Sequence, residues 1–89
     1  MALINVRFYT ILRRKLGVDS LFLEATDIEE AIAFLEERIG SRFRQELHTS
    51  GKMQENCIFL LNGINLRNLK RFVLEEGDVL HVFLPTAGG

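Results

Sequence analysis

The chain has 89 residues, enough for one domain burying roughly 60% to 70% of its unfolded surface. Apolar residues at 47% and charged residues at 26% describe a globular rather than a disordered chain. A formal charge of −1 supplies no general attraction to nucleic acid or anionic lipid, and the single cysteine, Cys57, excludes an internal disulfide and a disulfide-stapled secreted scaffold.

At the start, Ile4, Val6 and Phe8 alternate with Asn5, Arg7 and Tyr9, the period-two pattern of a strand with one buried face. The segment Arg13 to Asp19 is polar, contains Gly17 and reads as a longer loop, after which Leu21-Phe22-Leu23 forms a second strand and closes a hairpin-like pair. Thr26-Asp27-Ile28-Glu29 follows the capping-box pattern, with Thr26 and Glu29 satisfying the first turn of a helix. Ile28, Ala31, Ile32, Leu35 and Ile39 then make one apolar stripe, and Gly40 is the expected stop. A shorter helical turn is expected from Arg42 to Leu47, and the stretch from His48 to Asn56 is the most loop-like piece.

Cys57-Ile58-Phe59-Leu60-Leu61 is a continuous apolar run of strand length, as expected of a strand flanked by others. Asn62-Gly63 signals a tight turn, with a short edge strand over Ile64 to Leu66. Glu75-Glu76-Gly77-Asp78 is a polar turn, Val79 to Leu84 is the last strand, and Pro85 cannot donate a ladder hydrogen bond and should end pairing. The order predicts an α+β fold, a mixed four- to five-stranded sheet with one main helix packed on one face. In it the first and last strands lie side by side in parallel. Residues 1–84 form the domain, and residues 85–89 a flexible tail that extends at most about 16 to 18 Å.

If Ile4, Val6 and Phe8 face the helix, Tyr9 points to solvent; if Leu80 and Val82 also face inward, then Val79, His81 and Phe83 point outward. Adjacent strands then expose Tyr9 and Phe83 beside the root of the tail, and clustered exposed aromatics are the mark of a binding surface. The chain closes on Gly88-Gly89, whose lack of side chains lets a partner's walls close on the main chain around a terminal carboxylate.

No self-contained enzyme site emerges. Cys57 sits in an apolar strand and reads as a small buried residue rather than a nucleophile. His48 and His81 have no metal-ligand spacing, and no phosphate-binding glycine loop is present, so no metal and no stably bound cofactor are expected. Glu29-Glu30, Glu36-Glu37 and Glu75-Glu76 read as solvated charge, and Arg13-Arg14-Lys15 is a short basic run. The start, Ala2-Leu3-Ile4-Asn5-Val6-Arg7, lacks a signal-peptide pattern and no run approaches about 18 apolar residues, so a cytoplasmic protein with no membrane partner is expected.

This order of elements, with Gly77-Asp78, the strand ending in Phe83, the Leu61-Asn62-Gly63 turn and the terminal Pro85-Thr86-Ala87-Gly88-Gly89, resembles the sulfur-carrier proteins of the ubiquitin-like β-grasp superfamily, the MoaD-like small subunits of molybdopterin synthase above all. The tail keeps one proline of a family pattern that commonly has two, and lacks its valine. The resemblance implies that Gly89 is the reactive residue, preceded by Gly88. An E1-like (MoeB-like) adenylating enzyme would use ATP to convert Gly89 to an acyl-adenylate, and sulfur transfer would make it a thiocarboxylate. It further implies docking on a MoaE-like large subunit through Tyr9, Phe83, Pro85, Thr86 and Ala87, with sulfur delivered to a pterin precursor in molybdenum cofactor biosynthesis. The chain would then be the non-catalytic sulfur donor of a sulfurtransferase. The alternatives are the same carboxylate serving thiamine synthesis, tRNA thiolation or lysine conjugation, and a β-grasp interaction module whose tail is incidental.

Overall fold

The computed structural model describes residues 1–47, 52–65 and 73–85. In chain order these form β1 (Ala2–Phe8), α1 (Thr10–Leu16), β2 (Ser20–Ala25), α2 (Ile28–Leu47), α3 (Met53–Asn56), β3 (Ile58–Leu61), β4 (Ile64–Asn65) and β5 (Val79–Phe83). The sheet order is β2-β1-β5-β3-β4. Strand β5 lies at the centre, parallel to β1 with Phe8 opposite Val82, and antiparallel to β3 with Ile58 opposite Phe83. This is the β-grasp arrangement, with five strands.

Strand parity decides which face is covered. Ile4, Val6 and Phe8 of β1, Leu23 and Ala25 of β2, Phe59 and Leu61 of β3, and Leu80 and Val82 of β5 are buried, and they meet Ile28, Ala31, Ile32 and Leu35 of α2. The other face carries Leu3, Arg7 and Phe22, all exposed, and the half-buried Asn5, Leu60, Val79, His81 and Phe83. Asn62 and Gly63 have φ of 51° and 89°, both positive as the two central residues of a type I′ hairpin require, and Leu61 pairs with Ile64 across the turn. Leu66, the expected end of that edge strand, lies outside the described residues.

The structure corrects four expectations. The segment after β1 is the helix α1, because Leu12 and Leu16, one turn apart, are both buried against the core; the basic run occupies its outer face. Gly17, at φ 75°, closes α1 by donating its N–H to the Arg13 carbonyl at 2.9 Å.

Gly40 does not stop α2, which runs to Leu47 and takes in the expected separate turn. Phe43, four residues beyond Ile39, extends the apolar stripe and is fully buried. Burying a side chain of that size stabilises by about 1.5–3 kcal/mol, outweighing the roughly 0.5–1 kcal/mol that a mid-helix glycine costs.

The cap of α2 is shifted by one residue: Asp27 Oδ1 accepts the Glu30 N–H at 2.8 Å, and Glu30 Oε1 accepts the Thr26 N–H at 2.7 Å. Asp27 thus does what was expected of Thr26. Finally, part of the loop-like stretch is the short helix α3, whose Met53 is fully buried and donates its N–H to Glu36 Oε2 at 2.7 Å.

Smaller offsets concern strand ends. Cys57 caps α3 rather than beginning β3, and β5 ends at Phe83, leaving Leu84 packed against the core edge.

Candidate functional site

Because β1 and β5 run in parallel, their C-terminal ends finish side by side, and the residues leaving them share one corner of the sheet. Tyr9 follows β1 in an extended conformation (φ −128°, ψ 152°), and Thr10 then turns the chain into α1 with φ 49°. Phe83 is the last residue of β5, two positions before the exposed Pro85. The Tyr9 and Phe83 rings stack at 4.6 Å between centroids with 11° between planes. Tyr9 Oη lies 2.6 Å from His81 Nδ1, and these two rings sit 5.5 Å apart.

The alternation that buries Leu80 and Val82 presents Val79, His81 and Phe83 on the open face, where Arg7 stands beside His81 in register and Leu60 and Ile58 flank from β3. All three site rings are half-buried. Such a surface offers flat apolar area with polar handles at its centre, the composition suited to a protein contact.

Of the residues expected at the site, the structure brings together Tyr9 and Phe83, with Pro85 exposed two positions further along the chain. Thr86, Ala87, Gly88 and Gly89 lie outside the described residues, as does His48. His81 belongs to the cluster: its parity with Phe83 put it on the outward face as expected, but sequence reasoning did not include it among the binding residues. Phe22, 63% exposed on the same face across from Asn5, was also missed.

Burial, reinforced by the nearby charge of Glu36, pushes the Cys57 thiol up to about 12, so it is held as the unreactive thiol at neutral pH. Asp78, buried under the Glu76-Gly77 turn, accepts Asn62 Nδ2 at 2.9 Å and the Glu75 N–H at 2.8 Å, a bracing role that ties the start of β5 to the β3–β4 turn. Among the described residues no group of three or more His, Cys, Asp or Glu side chains is placed to hold a metal ion, and no helix is long and apolar enough to cross a membrane.

The sequence matches the model of the ThiS family over residues 6–89. No curated protein matches it in sequence. Among solved structures, small archaeal modifier protein 1 from Methanosarcina acetivorans is similar with a TM-score of 0.75 at 20% identity, over 100% of this chain and 98% of that one. A protein–protein complex of subunits 1 and 2 of the molybdopterin-converting factor from Helicobacter pylori 26695 contains a chain similar at 26% identity and a TM-score of 0.64, over 98% of this chain and 99% of that one. Small archaeal modifier protein 1 from Haloferax volcanii is similar with a TM-score of 0.71 at 18% identity, over 99% and 100% of the two chains.

Proposed function

The chain belongs to the ThiS family, and on that premise we propose that it is a sulfur carrier that acts as the small subunit of molybdopterin synthase, with the carboxylate of Gly89 as its reactive group. The observation that carries this reading is the continuity of the family match from β1 through Gly89, so the glycine pair is part of what matches. The likeness to one chain of a molybdopterin-converting factor complex, at 26% identity, supports the choice of recipient.

The chemistry follows from what a carboxylate lacks. It is a poor electrophile, so an adenylating enzyme must first let it attack the α-phosphorus of ATP, releasing pyrophosphate and forming an acyl-adenylate. Hydrosulfide released from the sulfur donor then attacks the acyl carbon, AMP leaves with the bonding pair, and loss of the sulfur-bound proton leaves Gly89 as a thiocarboxylate. In the next complex that sulfur attacks an electrophilic carbon of the pterin precursor and displaces the leaving group on it, forming a thioester that water hydrolyses to the sulfur-bearing pterin and the Gly89 carboxylate. This chain's own residues supply the reagent and the grip: Tyr9 and Phe83 dock on the large subunit, Pro85 starts the tail away from the sheet, and Thr86, Ala87 and Gly88 thread it into the partner's cleft. Catalytic groups and ATP belong to the partners.

The test is incubation of the chain with ATP, an E1-like adenylating enzyme and a sulfur donor, followed by intact-mass analysis. The expected result is a gain equal to sulfur replacing oxygen, located at Gly89 and lost on its deletion, together with binding to a molybdopterin synthase large subunit. Formation of thiocarboxylate without binding to that subunit assigns the sulfur to another recipient. Isopeptide-linked Gly-Gly remnants on lysines assign the chain to protein modification.

A further inference from the structure

Among the described residues, charge is divided along this domain in a way that the chain's net value of −1 conceals. One end gathers the start of β1, the end of β2, the first turn of α2 and the turn before β5: Leu74 donates to the Thr26 carbonyl at 2.9 Å, Gly77 donates to the Leu3 carbonyl at 3.0 Å, and Asp27 bridges to Val73. Segments 24–30 and 73–79, which build this end, carry Glu24, Asp27, Glu29, Glu30, Glu75, Glu76 and Asp78 and no lysine or arginine.

The opposite end holds α1, the later turns of α2 and the exit of β5. Arg13, Arg14 and Lys15 are exposed on α1, and the Arg42 guanidinium of α2 lies over Gly17, with Nη2 3.2 Å from where a Cβ there would sit. The later turns of α2 also carry Glu36 and Glu37 against Arg38 and Arg44, and Asp19 lies 3.6 Å from Arg13 in a pair whose side chains are 58% and 83% exposed and which neutralises little. Because Tyr9 stacks on Phe83 and α1 begins at Thr10, this basic cluster flanks the root of the tail on the helical side, whereas Tyr9, His81 and Phe83 flank it on the open sheet face.

Two surfaces of different chemistry therefore border one exit. An aromatic patch gives residence once docked; exposed rim charge acts at a distance and raises the rate of encounter. A carrier must arrive at its activating enzyme, react and leave for the next partner, a cycle in which fast encounter is worth more than tight holding.

We infer that the basic end formed by Arg13, Arg14, Lys15 and Arg42 is an electrostatic docking surface, and that its occupant is an acidic rim around the cleft of the adenylating enzyme that accepts the tail. This inference rests on the sulfur-carrier reading. The attraction steers the domain tail-first, because the acidic end is repelled by the same rim.

The experiment measures kcat/KM and kcat for ATP-dependent thiocarboxylation of the full chain by the E1-like adenylating enzyme from the same cell, at low and high ionic strength. Arg14→Glu/Lys15→Glu is expected to lower kcat/KM roughly tenfold or more at low salt, with kcat unchanged, and to converge on the wild type near 1 M salt, where the Debye length falls to about 3 Å. Arg14→Gln/Lys15→Gln should show a smaller loss of the same kind, and Glu24→Gln/Glu75→Gln at the far end should stay within about twofold of wild type. Circular dichroism confirms that each variant is folded before it is assayed.

If wild type is thiocarboxylated but the α1 variants keep its kcat/KM and salt dependence, the docking surface is refuted and the carrier reading stands. Equal and opposite effects from the two ends indicate net charge alone and overturn the inference. If no adenylating enzyme accepts the wild type, both readings fail. Salt-sensitive self-association of the chain without enzyme reassigns the basic end to the acidic end of a second copy.

Discussion

Tyr9 Oη and His81 Nδ1 lie 2.6 Å apart across the parallel β1–β5 pair, joining the residue that follows the first strand to the middle of the last. Which of the two donates follows the imidazole tautomer, and either arrangement ties the ring of His81 to the phenol on the open face beside Arg7. Tyr9→Phe keeps the stack on Phe83 and removes the bond, so a stability loss of about 0.5–1.5 kcal/mol is expected from urea unfolding. Phe83→Ala removes the stack itself. Its expected effect is a weakening of binding to the large subunit by about 2 kcal/mol or more, read by calorimetry, as for a central aromatic contact.

Thr10 adopts φ 49°, a left-handed conformation that a β-branched residue seldom takes, at the step that carries the chain from Tyr9 into α1. Holding it there costs about 1–3 kcal/mol. Thr10→Gly is expected to raise the urea midpoint, provided the added freedom of the unfolded chain does not consume the gain; Thr10→Pro should unfold the corner, since its φ is fixed near −65°. A fall in stability for Thr10→Gly would mean that the entropy added to the unfolded chain, or a contact of the threonine side chain, outweighs the relieved backbone.

The corrected reading of α2 makes two opposite predictions. Asp27→Ala removes the side chain that caps the Glu30 N–H and is expected to cost about 1 kcal/mol, more than Thr26→Ala. Gly40→Ala should stabilise by roughly 0.5–1 kcal/mol, because a Cβ there meets only the Glu36 Cβ at 4.0 Å. Thermal melts of the three variants check both.

Cys57 carries the pH dependence. Its thiol is pushed from 9.0 to about 12 by burial and by Glu36, so at pH 8 its thiolate is on the order of a thousandfold scarcer than that of a free cysteine. Alkylation by iodoacetamide should be correspondingly slow in the native protein and fast in urea. The folded state holds the proton more tightly than the unfolded state, so the contribution is fully present below pH 9 and is lost as pH rises toward 12. Wild type should therefore lose stability over that window relative to Cys57→Ala, whose difference curve isolates the thiol from other alkaline titrations.

Alternation was the most legible part of the chain. Ile4, Val6, Phe8, Leu80 and Val82 faced the helix as their spacing required, and that one fact placed Tyr9 against Phe83 before any contact was measured. What was not legible depended on competition between local signals and burial. Arg13-Arg14-Lys15 masked the Leu12–Leu16 spacing that makes α1, since the polar side of a seven-residue helix looks like a loop when only two of its residues reach the core. Gly40 was overruled by Phe43, and neither outcome follows from glycine propensity alone. The Tyr9–His81 bond needed the distance between strands, which spacing along one strand does not contain.

The position of β5 between β1 and β3 carries a consequence for biosynthesis. During translation the ribosome exposes β1, β2 and α2 long before residues 79–83 emerge, and without them the β1–β2 and β3–β4 pairs have no common partner strand. Closure of the sheet must wait for that late insertion, a long-range step of the slow kind. A nascent chain stalled short of β5 is therefore left open for proteolysis, and what survives carries the strand that closes the sheet.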